Sequence, residues 1–206
     1  IILIQHSTNA APFLPTGVSP GSPYHLVFVT RDTRNASSIN IADYNAFVNA
    51  QAALNPTLTG TNVGVTYSAI GSTTSIDARV NATVTAPVYN FNDQKVADSF
   101  SDMWDGTLDN AVTYDQFFAF GFPDMFTGSN SAGFAFAGNE LGTSSPRSGL
   151  ANFSSFRWID DSVAPQSNNY AFYALSEQII APGGQAIPEP HSVAIWTLLG
   201  LGLAGF

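Results

Sequence analysis

The sequence predicts an α+β domain, and three observations carry that expectation. One segment repeats apolar residues at helical spacing, at Ile41, Tyr44, Phe47, Val48 and Leu54. Several others are short, rich in β-branched or aromatic residues, and bounded by Gly, Pro, Asn or Ser. Between them run long stretches with neither period. One clear helix, short mixed strands and long loops, without regular strand–helix alternation, build an α+β fold.

The elements follow in chain order. The Pro/Gly/Ser-rich residues 12–21 read as a linker. Tyr24–Thr30 is a strong strand candidate. Ser37–Asn40 offers caps for the helix, and Asn55-Pro56 ends it. Val63–Ile70 reads as a strand weakened by Gly64, and Ser75–Val84 as an extended segment. From Ala86 the chain turns acidic and aromatic, with Asp93, Asp98, Asp102, Asp105, Asp109, Asp115 and Asp124 in close succession. Thr143–Gly149 reads as a loop, and Ser155–Ile159 and Tyr170–Ser176 as strands. Residues 181–187 form a second linker. No fixed-period repeat is visible, so residues 22–180 are expected to form one domain.

Composition narrows the class. Hydrophobic residues make up 45% of the 206, which is too apolar for a disordered chain. Charged residues are only 10%, so polarity comes instead from Asn, Ser, Thr and Gly. The net charge is −9 with six Lys and Arg, and a nucleic-acid partner would need the opposite field. There are no cysteines, which excludes a disulfide scaffold, a Cys-ligated metal and a thiol nucleophile.

The two ends carry sorting signals. Ile1–Ile4 is apolar and leads to Thr8 and Ala10, which fit the positions before a signal-peptidase cut at Ala11. Residues 1–11 therefore read as the remnant of a secretory signal peptide. At the other end, Pro188-Glu189-Pro190 precedes a run from Val193 to Phe206 that holds no charge. A full span needs about 20 apolar residues, so this reads as a truncated transmembrane helix. The start, which lacks Met, reads as truncated too.

The proline–glutamate–proline motif with its Gly/Leu-rich helix resembles the PEP-CTERM sorting tail, here over residues 188–206. That resemblance implies processing by an exosortase, transient membrane attachment, and a place in the cell envelope, outer surface or extracellular matrix, in company with exopolysaccharide. The family's terminal basic cluster is missing. A second resemblance spans Tyr67–Ile180. Ser75–Arg79, Ala86–Asn90, Val96–Asp98, Trp104–Gly106, Phe126–Asn130 and Tyr173–Glu177 follow in an order similar to bacterial endostatin/C-type-lectin-like domains. It departs by having no cysteine, and by Phe126 at a position expected to be Trp.

Three chemistries are open to the domain. Asp98, Asp102, Asp105 and Asp109 could offer oxygens to calcium, although the spacing is not that of an EF-hand. Trp104 and Trp158 could stack on a pyranose in a lectin-like site. A carboxylate-based hydrolase is the third option, but no pair of acids stands out. Of the three histidines, only His25 falls in the domain, so a three-His zinc site cannot form there. The leading expectation is an exported surface or matrix protein without catalytic activity or a required cofactor. A glycan-binding module, calcium-assisted or not, stands second.

Overall fold

The computed structural model describes residues 13–59, 64–121 and 123–183. The fold is α+β. The first strand, β1 (Pro23–Val29), is buried except at its start and forms the middle of the main sheet. After it come helix α1 (Ile41–Ala53), the single turn α2 (Pro56–Thr59), β2 (Tyr67–Ala69), a helical turn α3 (Ala78–Asn81), β3 (Val88–Asn90), β4 (Lys95–Ala97) and a helical turn α4 (Phe100–Met103). A second sheet holds β5 (Asp124–Phe126), β6 (Arg147–Leu150) and β7 (Ser162–Val163), with a 3-10 turn at Phe156–Trp158. The chain then returns to the main sheet as β8 (Tyr173–Ser176) and β9 (Ile179–Ile180).

The main sheet runs in the order β2-β8-β1-β3-β4, and β9 pairs with the start of β1. Among the described strands, only the β1–β3 pair is parallel within it. The register slips by one residue between β8 and β9, since Val27 faces Leu175 while Tyr24 faces Ile179. This bulge falls at Ser176–Gln178. There the Leu26 amide donates to the Ser176 hydroxyl at 2.9 Å instead of to a backbone carbonyl.

Strand alternation divides the core into two layers. Tyr24, Leu26 and Phe28 join Tyr67, Ala69 and Ala174 on the face that packs against Tyr44, Val48 and Ala52 of α1. Aromatic rings dominate this layer: Phe28 stacks on Phe91 at 5.7 Å and meets Tyr67 edge-on at 5.3 Å. Val27, Val29, Val88 and Leu175 face the other way, toward Ala78, Ala82, Met103, Trp104 and Trp158. A fully buried side chain of this size contributes about 2 kcal/mol, so both layers matter to stability.

Helix α1 forms where its sequence predicts. The Asn40 side chain accepts from the Ala42 amide at 3.1 Å, and Asp43 lies in the first turn, where the helix dipole favours a negative charge. Three expectations need correcting. Ser75–Val84 is not extended, because Asp77 starts the turn α3 and the Ala78 amide is held by the Ser72 hydroxyl. Ser155–Ile159 is a 3-10 turn rather than a strand, and it tucks Trp158 under Tyr173. The expected loop Thr143–Gly149 supplies most of β6, whose Gly149 lets the Trp158 backbone approach; a Cβ there would sit 2.0 Å from the Trp158 carbonyl oxygen. Among the described residues, the clear helix is joined by three helical turns, α2, α3 and α4.

Strand β2 is the sheet edge, and asparagine amides cover it. Asn49 accepts from the Tyr67 amide at 2.9 Å and donates to the Tyr67 carbonyl at 2.6 Å. Asn45 accepts from the Ala69 amide at 2.8 Å, and Asn81 donates to the Ala69 carbonyl at 2.8 Å. Asn45 and Asn81 then bond each other in both directions. The side chains thus supply the donors and acceptors that a neighbouring strand would have offered.

The chain ahead of β1 also packs. Phe13 and Val18 rest on the aromatic layer, and the Tyr24 hydroxyl donates to the Phe13 carbonyl. The signal remnant, the Pro188-Glu189-Pro190 motif and the apolar tail lie outside the described residues. Among the described residues no helix is long and apolar enough to cross a membrane.

Candidate functional site: an acidic turn and a polar cavity

The acidic segment follows β4. Ser99 caps α4 by accepting from the Asp102 amide at 3.3 Å, and Asp102 reaches back to accept from the Asp98 amide at 2.6 Å. This is a capping box shifted outward by one residue. Lys95 pairs with Asp98 at 2.5 Å, and this hydrogen bond, aided by the charges of Asp98 and Asp109, raises the lysine pKa. Carboxylate oxygens of Asp98, Asp102 and Asp109 lie within 4.8 Å of one another.

Asp105 does not join them. Its carboxylate accepts from the Thr107 amide and hydroxyl at 2.8 and 2.9 Å, closing a turn in which Gly106 takes φ +102°. Three of the four predicted acids therefore converge, and the fourth shapes the loop. Calcium asks for six to eight oxygens, roughly, and the trio offers a minority of them. Much of its charge is already used by Lys95 and by the helix start.

The two predicted glycan-contact residues must be corrected. Trp104 is 4% exposed and Trp158 is fully buried. Their rings lie 6.1 Å apart, Trp158 also meets Tyr173 edge-on, and Gly133 presses on the Trp104 ring. Neither can offer a face to a pyranose, because large aromatics gain more by joining the core.

A cavity of about 270 Å³ opens on the aliphatic face of the main sheet, where that layer runs out. His25, on β1, forms part of its wall. The His25 Nδ1 donates to the Ser176 carbonyl at 2.8 Å, and its Nε2 accepts from the Thr85 amide at 3.0 Å. A carbonyl can only accept and an amide can only donate, so the ring is neutral with its proton on Nδ1. Burial lowers its pKa, and contacts with the Ser176 and Glu177 backbone oppose that shift. The bulge presents Glu177 and Gln178 at the rim, Ser68 comes from β2, and Leu175 and Ala82 supply apolar wall. No local sequence pattern announces this cavity, because its residues come from four separate stretches of chain.

A second cleft, of about 290 Å³, is lined by Arg31, Asp115, Phe120 and Pro123. Arg31 is spent there: it pairs with Asp115 at 2.6 Å and lies 4.2 Å over the Phe117 ring. The same holds throughout. Arg34, Arg79, Arg147 and Arg157 each lie over an aromatic ring, and Lys95 is ion-paired. Every one of the six positive side chains is engaged within the domain.

Gly17-Val18-Ser19-Pro20-Gly21 spells a nucleophile pattern, G-x-S-x-G. Ser19 lies on an exposed stretch of turns with no helix behind it, and its hydroxyl has no partner among the described residues. The strand–turn–helix that would activate such a serine is not there. No family model matches this chain, and no curated protein matches it.

Proposed function

We propose that this is an exported, non-enzymatic protein of the bacterial cell surface or extracellular matrix, sorted through its C-terminal tail. The Pro188-Glu189-Pro190 motif and its apolar run carry this reading, through their likeness to the PEP-CTERM signal. The described domain supports it in a second way. Its polar groups are mostly spent on itself: Asp102 braces the start of α4 through the Asp98 amide, Asp105 closes a turn, and His25 has both nitrogens occupied. Side-chain amides that close a sheet edge suit a protein kept at high local concentration.

The test is fractionation in a host that possesses an exosortase. Supplied with a complete signal peptide ahead of Ala11 and a basic cluster after Phe206, the chain is expected in the envelope or medium, and a version lacking residues 188–206 is expected to lose envelope attachment. Retention of the full chain in the cytoplasm, or an unchanged distribution on deleting the tail, overturns the proposal.

The finer fold reading is C-type-lectin-like. What supports it is the return of the last strands beside the first, one long helix after β1, and a small separate sheet carried by long loops. A glycan-binding role is the second reading, favoured by the polar cavity rather than by the tryptophans. A carboxylate hydrolase has the least support, since Asp98 and Asp102 are held by Lys95 and by the α4 start.

A further inference from the structure

We propose that the cavity beside His25 binds one neutral pyranose unit, held through its hydroxyls by Ser68, Thr66, Glu177 and Gln178. This site rests on the glycan-binding reading and is independent of how the chain is sorted.

Four open groups carry it. The hydroxyls of Ser68 and Thr66 have no hydrogen-bond partner among the described residues, although both residues line the cavity. Glu177 commits one oxygen, Oε1, to the Thr66 amide at 3.1 Å and leaves the other free. Gln178 commits its Oε1 to the Thr85 hydroxyl at 2.7 Å, which turns the amide nitrogen away as a free double donor. The set thus contains one strong acceptor, one strong donor and two hydroxyls that can be either. Sugar hydroxyls also donate and accept, so they match such a mixture atom for atom.

The surroundings select against other ligands. Among the described residues, Glu177 is the one charged side chain lining the cavity, so an anion is repelled. No spare cation can be recruited, because all six are engaged elsewhere. A small ammonium ion would satisfy the carboxylate but would leave the Gln178 donors facing a cation. Leu175 and Ala82 offer apolar wall to the C–H face of a ring. The volume lies at the small end of ligand sites, which start at about 300 Å³, so one ring fits and two do not.

The site is also held in shape. The bulge that turns Glu177 and Gln178 outward is pinned by His25 and by the Ser176 hydroxyl. Bulges are used in this way to re-aim side chains beside binding sites.

The experiment is a titration of the labelled full chain, followed by amide NMR, with the methyl glycosides of glucose, galactose, mannose and N-acetylglucosamine. At least one is expected to shift the Gln178 side-chain amide and the Ser68 backbone amide saturably. Ser68→Ala and Gln178→Ala are each expected to weaken that binding about five-fold, the worth of one hydrogen bond. Neither residue is buried, so the rest of the spectrum reports whether the fold is kept. A trisaccharide binding no better than the matching glycoside supports a one-ring site. A trisaccharide binding more than about ten-fold tighter overturns it in favour of a groove, since such a gain needs over 1 kcal/mol of extra contact. The proposal also falls if no glycoside gives a saturable shift, or if both alanine variants bind unchanged. It falls equally if methylammonium alone shifts these signals and Glu177→Gln abolishes that shift.

Discussion

The asparagine cover of β2 and the acidic trio after β4 are both clusters of three polar side chains, yet they sit in opposite physical situations. At β2 the groups are neutral, and their amides bond the edge strand and each other. After β4 the groups are like-charged and largely exposed, and Lys95 and the Asp98 amide answer only part of their demand. Polarity stabilises where each group finds its match. A matched amide replaces water bond for bond, whereas clustered carboxylates must keep water, a lysine or an ion nearby.

Substitutions can break that contrast, and the largest effect is expected at Asn49. Asn49→Ala orphans both the amide and the carbonyl of Tyr67. It should cost about 3 kcal/mol and lower the melting temperature by roughly 10 °C, and it should promote edge-to-edge association visible by light scattering. A fall of under one or two degrees would show that water replaces the amide and that the cover is incidental.

Acid should come next, through His25. Burial holds the folded ring below its ordinary pKa of 6.5, so the unfolded chain takes up a proton first as the pH falls. Stability from this group is complete above pH 6.5 and declines below it until the folded ring protonates too. The slope is at most about 1.4 kcal/mol per pH unit, measured as urea unfolding free energy against pH. His25→Gln should remove this component of the slope even if it lowers stability overall.

Two smaller effects probe the acids. Asp102→Ala should cost about 1 kcal/mol through the helix start alone, with Asp102→Asn retaining part of it. Asp109→Asn should change stability by no more than about 0.5 kcal/mol, and calcium should leave the melting temperature where EDTA leaves it. A calcium-induced rise that Asp109→Asn abolishes would move the trio from helix capping to ion binding, and the contrast with β2 would become one between a structural cluster and a ligand site.

The sequence was legible where the signal was local. Helix α1 could be read from its apolar spacing and its Asn40 cap, and β1 from its β-branched and aromatic run. The acidic segment was legible as composition, and three of its four candidate acids do converge. What escaped depended on distant partners. Asn45 and Asn49 look like ordinary polar positions on a helix until β2 arrives beside them. Trp104 and Trp158 offered rings to a sugar on paper, but Gly133 and Tyr173, remote in the chain, close over them. The cavity was invisible for the same reason: Ser68, Thr85 and Gln178 meet only because β8 lies between β1 and β2.

The pairing of β9 with the start of β1 has a mechanical consequence. The Gly21 amide donates to the Ala181 carbonyl, and the Ala181 amide donates to the Ser22 carbonyl, at 3.0 and 2.9 Å. The two strands leave the sheet side by side, so tension applied across them would peel their bonds apart in succession, starting at this pair. Tension carried by only one of them would leave the zipper unloaded. Hung from one strand, the domain would swing as a pendant and keep its fold under drag; stretched between both, it would yield at low force, as a link that opens before its neighbours do.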